Sequence, residues 1–141
     1  MPERLLIYID GAARGNPGPA GIGVVILDEN KNKVKEYSKH LGSATNNTAE
    51  YNALIYALQE AHMLGVKDVV LHTDSELVAK QLKGEFRVKN ANIKPLFEQA
   101  VHLINGFEKV EVKRIDRSLN KEADRLANKA INLSGLKTKI E

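Results

Sequence analysis

Two short apolar runs in this chain each end in an aspartate. Leu5-Leu6-Ile7-Tyr8-Ile9 leads into Asp10, and Val69-Val70-Leu71-His72-Thr73 leads into Asp74. Neither run alternates polar with apolar residues, as a strand with one solvated face would, so both read as interior strands of a sheet covered on its two faces. Two helical stripes repeat the anomaly. Glu50 leads Leu54, Ala57 and Ala61 at i+4, i+7 and i+11, and Asp124 leads Ala127 and Ile131, so each acid starts on the core-facing side of its helix. Carboxylates gathered in a core cannot all remain bare anions, because desolvation and mutual repulsion would neutralise them or break the fold. A bound divalent cation is the economical resolution.

Each acid taken singly has a plainer reading. Asp74, followed by Ser75, can cap the next helix, and Asp124 can favour the dipole of its own helix. Glu50 can snorkel from the edge of its stripe. Asp10 is the hardest to dismiss, since an acid inside an interior strand needs a partner or a metal. The four plain readings holding together is a weaker account than one shared cation site. The histidines His40, His62, His72 and His102 show no ligand spacing, so an all-oxygen site is expected, which selects magnesium or manganese over zinc or copper.

The 141 residues amount to one domain with room for a sizeable core, expected over 1–134 with a tail from 135 to 141. There is no cysteine, which excludes disulfides, thiolate catalysis and zinc–thiolate sites. The start, Met1-Pro2-Glu3-Arg4-Leu5, has neither the length nor the flanks of a signal peptide or membrane span, so a cytoplasmic protein with no membrane partner is expected. Charge is uneven. Residues 1–74 hold seven lysines and arginines against nine acids, and residues 75–141 hold fourteen against nine. A basic half beside an acidic cluster suits a polyanion that meets metal ions at a reaction centre, although a solvated surface would look the same.

Along the chain, 4–10, 22–27 and 34–41 read as strands of an antiparallel meander, with residues 11–21 as a turn-rich connection. A helix follows over 46–64, with Thr45 or Asn46 as its cap and Gly65 as its stop. Then come a strand over 69–73, a short helix over 75–82, and a loop over 85–92 carrying Arg87 and Lys89. A helix over 93–105, a strand over 110–115 and a last helix over 121–133, with Asn120 as cap, complete the order βββαβααβα. That order implies an α/β class fold, a mixed sheet covered by helices. The glycines at 11, 15, 18, 21 and 23 fit neither GxGxxG nor GxxxxGK[ST], and read instead as places where a backbone or ligand comes close.

The segments YIDGAARGNPGPAG, TNNTAEYNAL, LHTDSELVAKQL and RIDRSLNKEADRLAN resemble the four signature blocks of type 1 ribonuclease H, and together they span nearly the whole chain. The resemblance implies a ribonuclease H-like fold, a five-stranded mixed sheet of order 3-2-1-4-5 flanked by helices, and hydrolysis of the RNA strand of an RNA–DNA hybrid. It maps the metal-binding carboxylates onto Asp10, Glu50, Asp74 and Asp124. It also implies two Mg2+ ions with substrate bound, Mn2+ being an alternative, roughly 4 Å apart and bridged by Asp10. The products would carry a 5′-phosphate and a 3′-hydroxyl.

By the same resemblance Gly11, Arg14, Asn16, Asn46 and Asn47 would face the hybrid, the asparagines in its minor groove, where the 2′-hydroxyl tells RNA from DNA. Thr45 and Asn90 would hold a phosphate of the DNA strand. Three departures stand out. Arg117 takes the place of a loop histidine and would bind the scissile phosphate or help product leave, since arginine cannot serve as a general base. Glu76 stands where relatives often have glutamine. A basic protrusion found in the well-known bacterial form is replaced by LKGEFRVKNANIKP, so hybrid binding would rest on Lys80, Lys83, Arg87, Lys89 and Lys94 and be salt-sensitive. A monomer is expected.

Overall fold

The computed structural model describes residues 3–140. Five strands, β1 (Arg4–Ala13), β2 (Gly18–Leu27), β3 (Lys33–Ala44), β4 (Asp68–Thr73) and β5 (Lys109–Arg114), form one sheet in the order β3-β2-β1-β4-β5. The meander β1-β2-β3 is antiparallel, whereas β4 pairs parallel with both β1 and β5. The helices are α1 (Asn46–Met63), α2 (Glu76–Leu82), α3 (Lys94–Asn105) and α4 (Lys121–Ile140), with a 3-10 turn at Arg117–Leu119. The element order and the strand order are those expected.

Alternation along β1 and β2 sorts the two faces. Leu5, Ile7 and Ile9 join Ile22, Val24 and Ile26 and the α1 residues Leu54, Leu58 and Ala61 in the main core. The opposite face of β2 presents Gly21 and Gly23, and α4 lies directly on them. A Cβ at Gly21 would stand 2.5 Å from the Ala127 carbonyl oxygen, and one at Gly23 would stand 2.8 Å from the Ala127 nitrogen. The expected turn-rich connection over 11–21 is therefore corrected. Both strands run into it and only residues 14–17 turn, because these glycines serve helix–sheet approach and not chain reversal.

Helix ends follow local chemistry. Thr45 caps α1 by accepting from the Thr48 N–H at 3.2 Å, and Gly65 leaves it with φ +75°. Ser75, not Asp74, caps α2 by accepting from the Val78 N–H at 3.1 Å. Asn120 does not cap α4 through its side chain, whose oxygen has no hydrogen-bond partner among the described residues. The last helix, expected to stop at Leu133, runs on to Ile140 and takes in most of the segment set apart as a tail. Gly135 costs a helix only about 1 kcal/mol, and no proline follows to end it. Glu141 lies outside the described residues.

Candidate active site

The C-terminal ends of β1 and β4 are neighbours because the two strands pair parallel, with Ile9 opposite Thr73. Asp10 and Asp74 each follow those partners, so parallel register sets them side by side. The N-terminus of α1 crosses above, where Gly11 allows contact. A Cβ there would overlap the Ala49 carbonyl carbon and the Glu50 nitrogen. One carboxylate oxygen from each of Asp10, Glu50 and Asp74 lies within 4.8 Å of the others. Asp10 and Glu50 are buried, 5% and 6% exposed, and Asp74 is half-buried.

Asp124, in the first turn of α4, stands beside this trio and lines the same cavity of about 620 Å³. Its Oδ1 accepts from Asn128 Nδ2 at 3.3 Å and sits 3.9 Å from the Arg117 guanidinium. Gly11, Arg14, Asn46, Asn47 and Arg117 line the cavity as well. The connection at 14–17 is stitched to α1, since Asn16 Oδ1 accepts from the Asn46 N–H at 3.1 Å and Asn46 Oδ1 from the Ala13 N–H at 2.9 Å.

The remaining expected residues lie off the cavity. Glu76 bonds Lys80 at 2.8 Å along the α2 surface, and Lys80 Nζ sits 4.7 Å above the Phe86 ring. Asn90 accepts from the Asn92 N–H at 2.8 Å and so shapes the loop before α3, where Lys89 is exposed. Arg87 and Lys94 border a second cavity with Phe86 and Phe97.

Sequence reasoning missed Arg114, Asn128 and Asn120. Arg114 reaches the acid-lined cavity because it pairs with Thr73, a register invisible before β4 and β5 are docked. Asn128 was within reach, being one turn beyond Asp124 on the same helix face. Asn120 read only as a cap.

The electrostatics are those of carboxylates crowded together away from solvent. Burial, then repulsion from Glu50, pushes the Asp10 carboxyl up to about 10. Burial likewise raises Glu50 to about 7, against the lowering effect of its hydrogen bonds from Asp10 and the Gly11 N–H. Glu50 Oε2 is buried with no hydrogen-bond partner among the described residues. An orphaned carboxylate oxygen beside two further carboxylates suits a hard divalent cation bound through oxygen. His72, by contrast, donates from Nδ1 to the Ile7 carbonyl at 2.9 Å and stacks on Tyr8, a packed structural residue.

The chain is similar to known proteins in sequence and in fold. The family model described as reverse transcriptase-like matches residues 8–130. Ribonuclease HI of Halobacterium salinarum is 41% identical over 129 residues, 92% of this chain and 65% of that protein. The crystal structure of LC11-RNase H1 in complex with RNA/DNA hybrid matches with TM-score 0.88 and 42% identity, covering 92% of this chain and 98% of that one. The N-terminal RNase H domain of Rv2228c from Mycobacterium tuberculosis matches with TM-score 0.88 and 39% identity, covering 91% and 98%. The chain spans 65% of the Halobacterium protein and 36% of the whole bifunctional protein Rv2228c. A mixed sheet of order 3-2-1-4-5, with acids at the ends of its two central parallel strands, has the ribonuclease H-like fold. Within that class, the chain belongs to the type 1 ribonuclease H family.

Proposed function

We propose that this protein is an endoribonuclease that hydrolyses the RNA strand of RNA–DNA hybrids with the help of divalent metal ions. The observation that carries the reading is the trio Asp10, Glu50 and Asp74, with one carboxylate oxygen from each within 4.8 Å of the others and with Glu50 Oε2 buried without a partner among the described residues. Asp10, Glu50, Asp74 and Asp124 hold the metal, Mg2+ first and Mn2+ as the alternative, two ions being engaged when hybrid is bound. Bound metal supplies Lewis-acid charge at the phosphate and lowers the pKa of the attacking water.

The chain's own residues bind and orient. Arg117, exposed at the cavity rim and 3.9 Å from Asp124, grips the scissile phosphate or eases product away, and it carries no proton to or from the reaction. Gly11, Arg14, Asn16, Asn46 and Asn47 meet the minor groove, where the RNA 2′-hydroxyl is exposed. Thr45 and Asn90 hold a DNA-strand phosphate, and Glu76, Lys80 and Lys89 lie along the path of the hybrid beyond the cavity. The products carry 5′-phosphate and 3′-hydroxyl ends. The protein acts as a cytoplasmic monomer; no described helix is long and apolar enough to cross a membrane.

The test is cleavage of end-labelled RNA–DNA hybrid, duplex RNA and duplex DNA, each with magnesium, manganese or chelator. Metal-dependent cutting confined to the RNA strand of the hybrid is expected. Tight hybrid binding without cutting would make the chain a binding module, and cutting of duplex DNA would put the substrate class elsewhere.

A further inference from the structure

Asn120 lies just before α4 and is 1% exposed, yet none of the chemistry above uses it. Its Nδ2 donates to the Ile9 carbonyl at 2.8 Å and to Asp74 Oδ2 at 3.1 Å. Its own carbonyl accepts from the Asp124 N–H at 3.1 Å. One residue thus joins the end of β1 next to Asp10, the carboxylate of Asp74 and the turn that carries Asp124.

The orientation of the amide is fixed by chemistry. A main-chain carbonyl can only accept, so the NH2 end must face Ile9. Asn120 Oδ1 is then buried with no hydrogen-bond partner among the described residues. An asparagine at the start of a helix ordinarily spends that oxygen on an N–H of the first turn. Here the oxygen has no partner among the described residues, while one N–H goes to the Ile9 carbonyl beside Asp10 and the other to the Asp74 carboxylate, so side-chain capping does not account for the residue.

We infer that Asn120 is a positioning residue for the metal site: its amide holds Asp74 Oδ2 and locks β1, β4 and α4 in the register that brings the carboxylates together. The inference rests on the metal-dependent reading above. With Oδ2 held by Asn120, the Asp74 carboxylate cannot rotate freely, and its other oxygen is kept for a cation. Partners of this kind, one bond removed from the ligand atoms, typically change metal affinity or activity by about 10–100-fold when lost.

The experiment is calorimetric titration of Mg2+ and Mn2+ into wild type, Asn120→Ala, Asn120→Asp, Asp74→Asn and the Asn120→Ala/Asp74→Asn pair, with thermal melts with and without metal. Roughly ten-fold or greater weakening is expected for Asn120→Ala, together with a smaller metal-induced rise in Tm. In the Asp74→Asn background the same change is expected to cost little more, because Asn120 acts through that carboxylate. A merely structural role would lower the metal-free Tm and leave the affinity of the folded protein unchanged, which would overturn the inference; full additivity of the two changes would overturn it too. Should the variants fold poorly, the wild-type Asn120 side-chain NH2 resonance is expected to shift with added Mg2+ at the midpoint seen by calorimetry, and an unmoved resonance counts against the role. Wild type that binds no divalent metal would sink both this inference and the functional reading. Wild type that binds metal beside unaffected Asn120 variants would sink this inference alone.

Discussion

The backbone N–H of Gly11 donates to Glu50 Oε1 at 3.0 Å, tying the end of β1 to the second turn of α1. That bond needs a residue without a side chain, since a Cβ at position 11 would stand 2.6 Å from the Ala49 carbonyl oxygen and closer still to its carbon. Backbone is on both sides of the clash, so no side-chain rotation relieves it. Gly11→Ala is expected to destabilise the fold by about 1–3 kcal/mol, the usual cost of overpacking. Because relief moves Glu50 away from Asp10, hybrid cleavage by the folded protein should fall by roughly two orders of magnitude, as an ångström-scale misplacement allows. Parallel measurements of Tm and of cleavage at saturating metal check it; near-normal cleavage would mean that Glu50 is not held by this approach.

Asp10 and Glu50 give the metal-free protein a stability that falls as pH rises. Burial raises both carboxyls, helped at Asp10 by repulsion from Glu50 and at Glu50 by repulsion from Asp74, from ordinary values near 4 to about 10 and about 7. Between the unfolded and folded pKa values the native state holds more protons than the unfolded chain, so the slope of stability with pH is negative. The loss begins above about pH 4 and is steepest while both groups resist ionisation, up to about pH 7, continuing with Asp10 alone toward pH 10. Metal displaces these protons, so added Mg2+ should raise Tm more at pH 8 than at pH 5.5. Melts with EDTA and with Mg2+ across that range test the sign, and a metal effect that shrank with rising pH would contradict it.

Much of the fold is legible before any coordinates. The unbroken apolar runs at 5–9 and 69–73 name the two central strands, and the stripes behind Glu50 and Asp124 name the helix faces that bury against them. Glycine is where the reading slips. At 11, 21 and 23 it marks backbone approach inside strands, but by type alone it looks like loop, because local propensity carries no information about what packs from outside. The site divides in the same way. Its acids stand out because they violate burial rules one residue at a time, whereas Arg114 enters only through the β4–β5 register and Asn120 only through contacts to residues 111 and 46 positions away.

Tyr51 and Gln81 offer a stability test remote from the chemistry. The Tyr51 hydroxyl donates to Gln81 Oε1 at 2.6 Å, with the two residues 1% and 7% exposed. Removing only the hydroxyl leaves a buried amide oxygen without its donor, which costs about 1–3 kcal/mol, while removing both partners relieves much of that penalty. Tyr51→Phe is therefore expected to destabilise more than the Tyr51→Phe/Gln81→Leu pair, with kcat unchanged in both. Urea unfolding of the two variants decides it, and equal midpoints would mean that the Gln81 oxygen left without its donor carries no penalty.

Asp10→Asn separates binding from chemistry. The substitution keeps the side chain's shape and removes the charge that burial and Glu50 oppose most strongly. In the metal-free state it should raise stability, by on the order of 1 kcal/mol or more at pH 8, which for a domain of this size is roughly 4 °C in Tm. Metal binding should weaken, because an amide replaces a carboxylate at the centre of the trio. Cleavage of the hybrid should be abolished while its affinity, measured in EDTA, changes less than about two-fold, since the asparagines and the basic residues of the rim are untouched. Cleavage undiminished by Asp10→Asn would remove the carboxylate cluster from the mechanism, and hybrid affinity lost along with cleavage would mean that Asp10 holds substrate as well as metal.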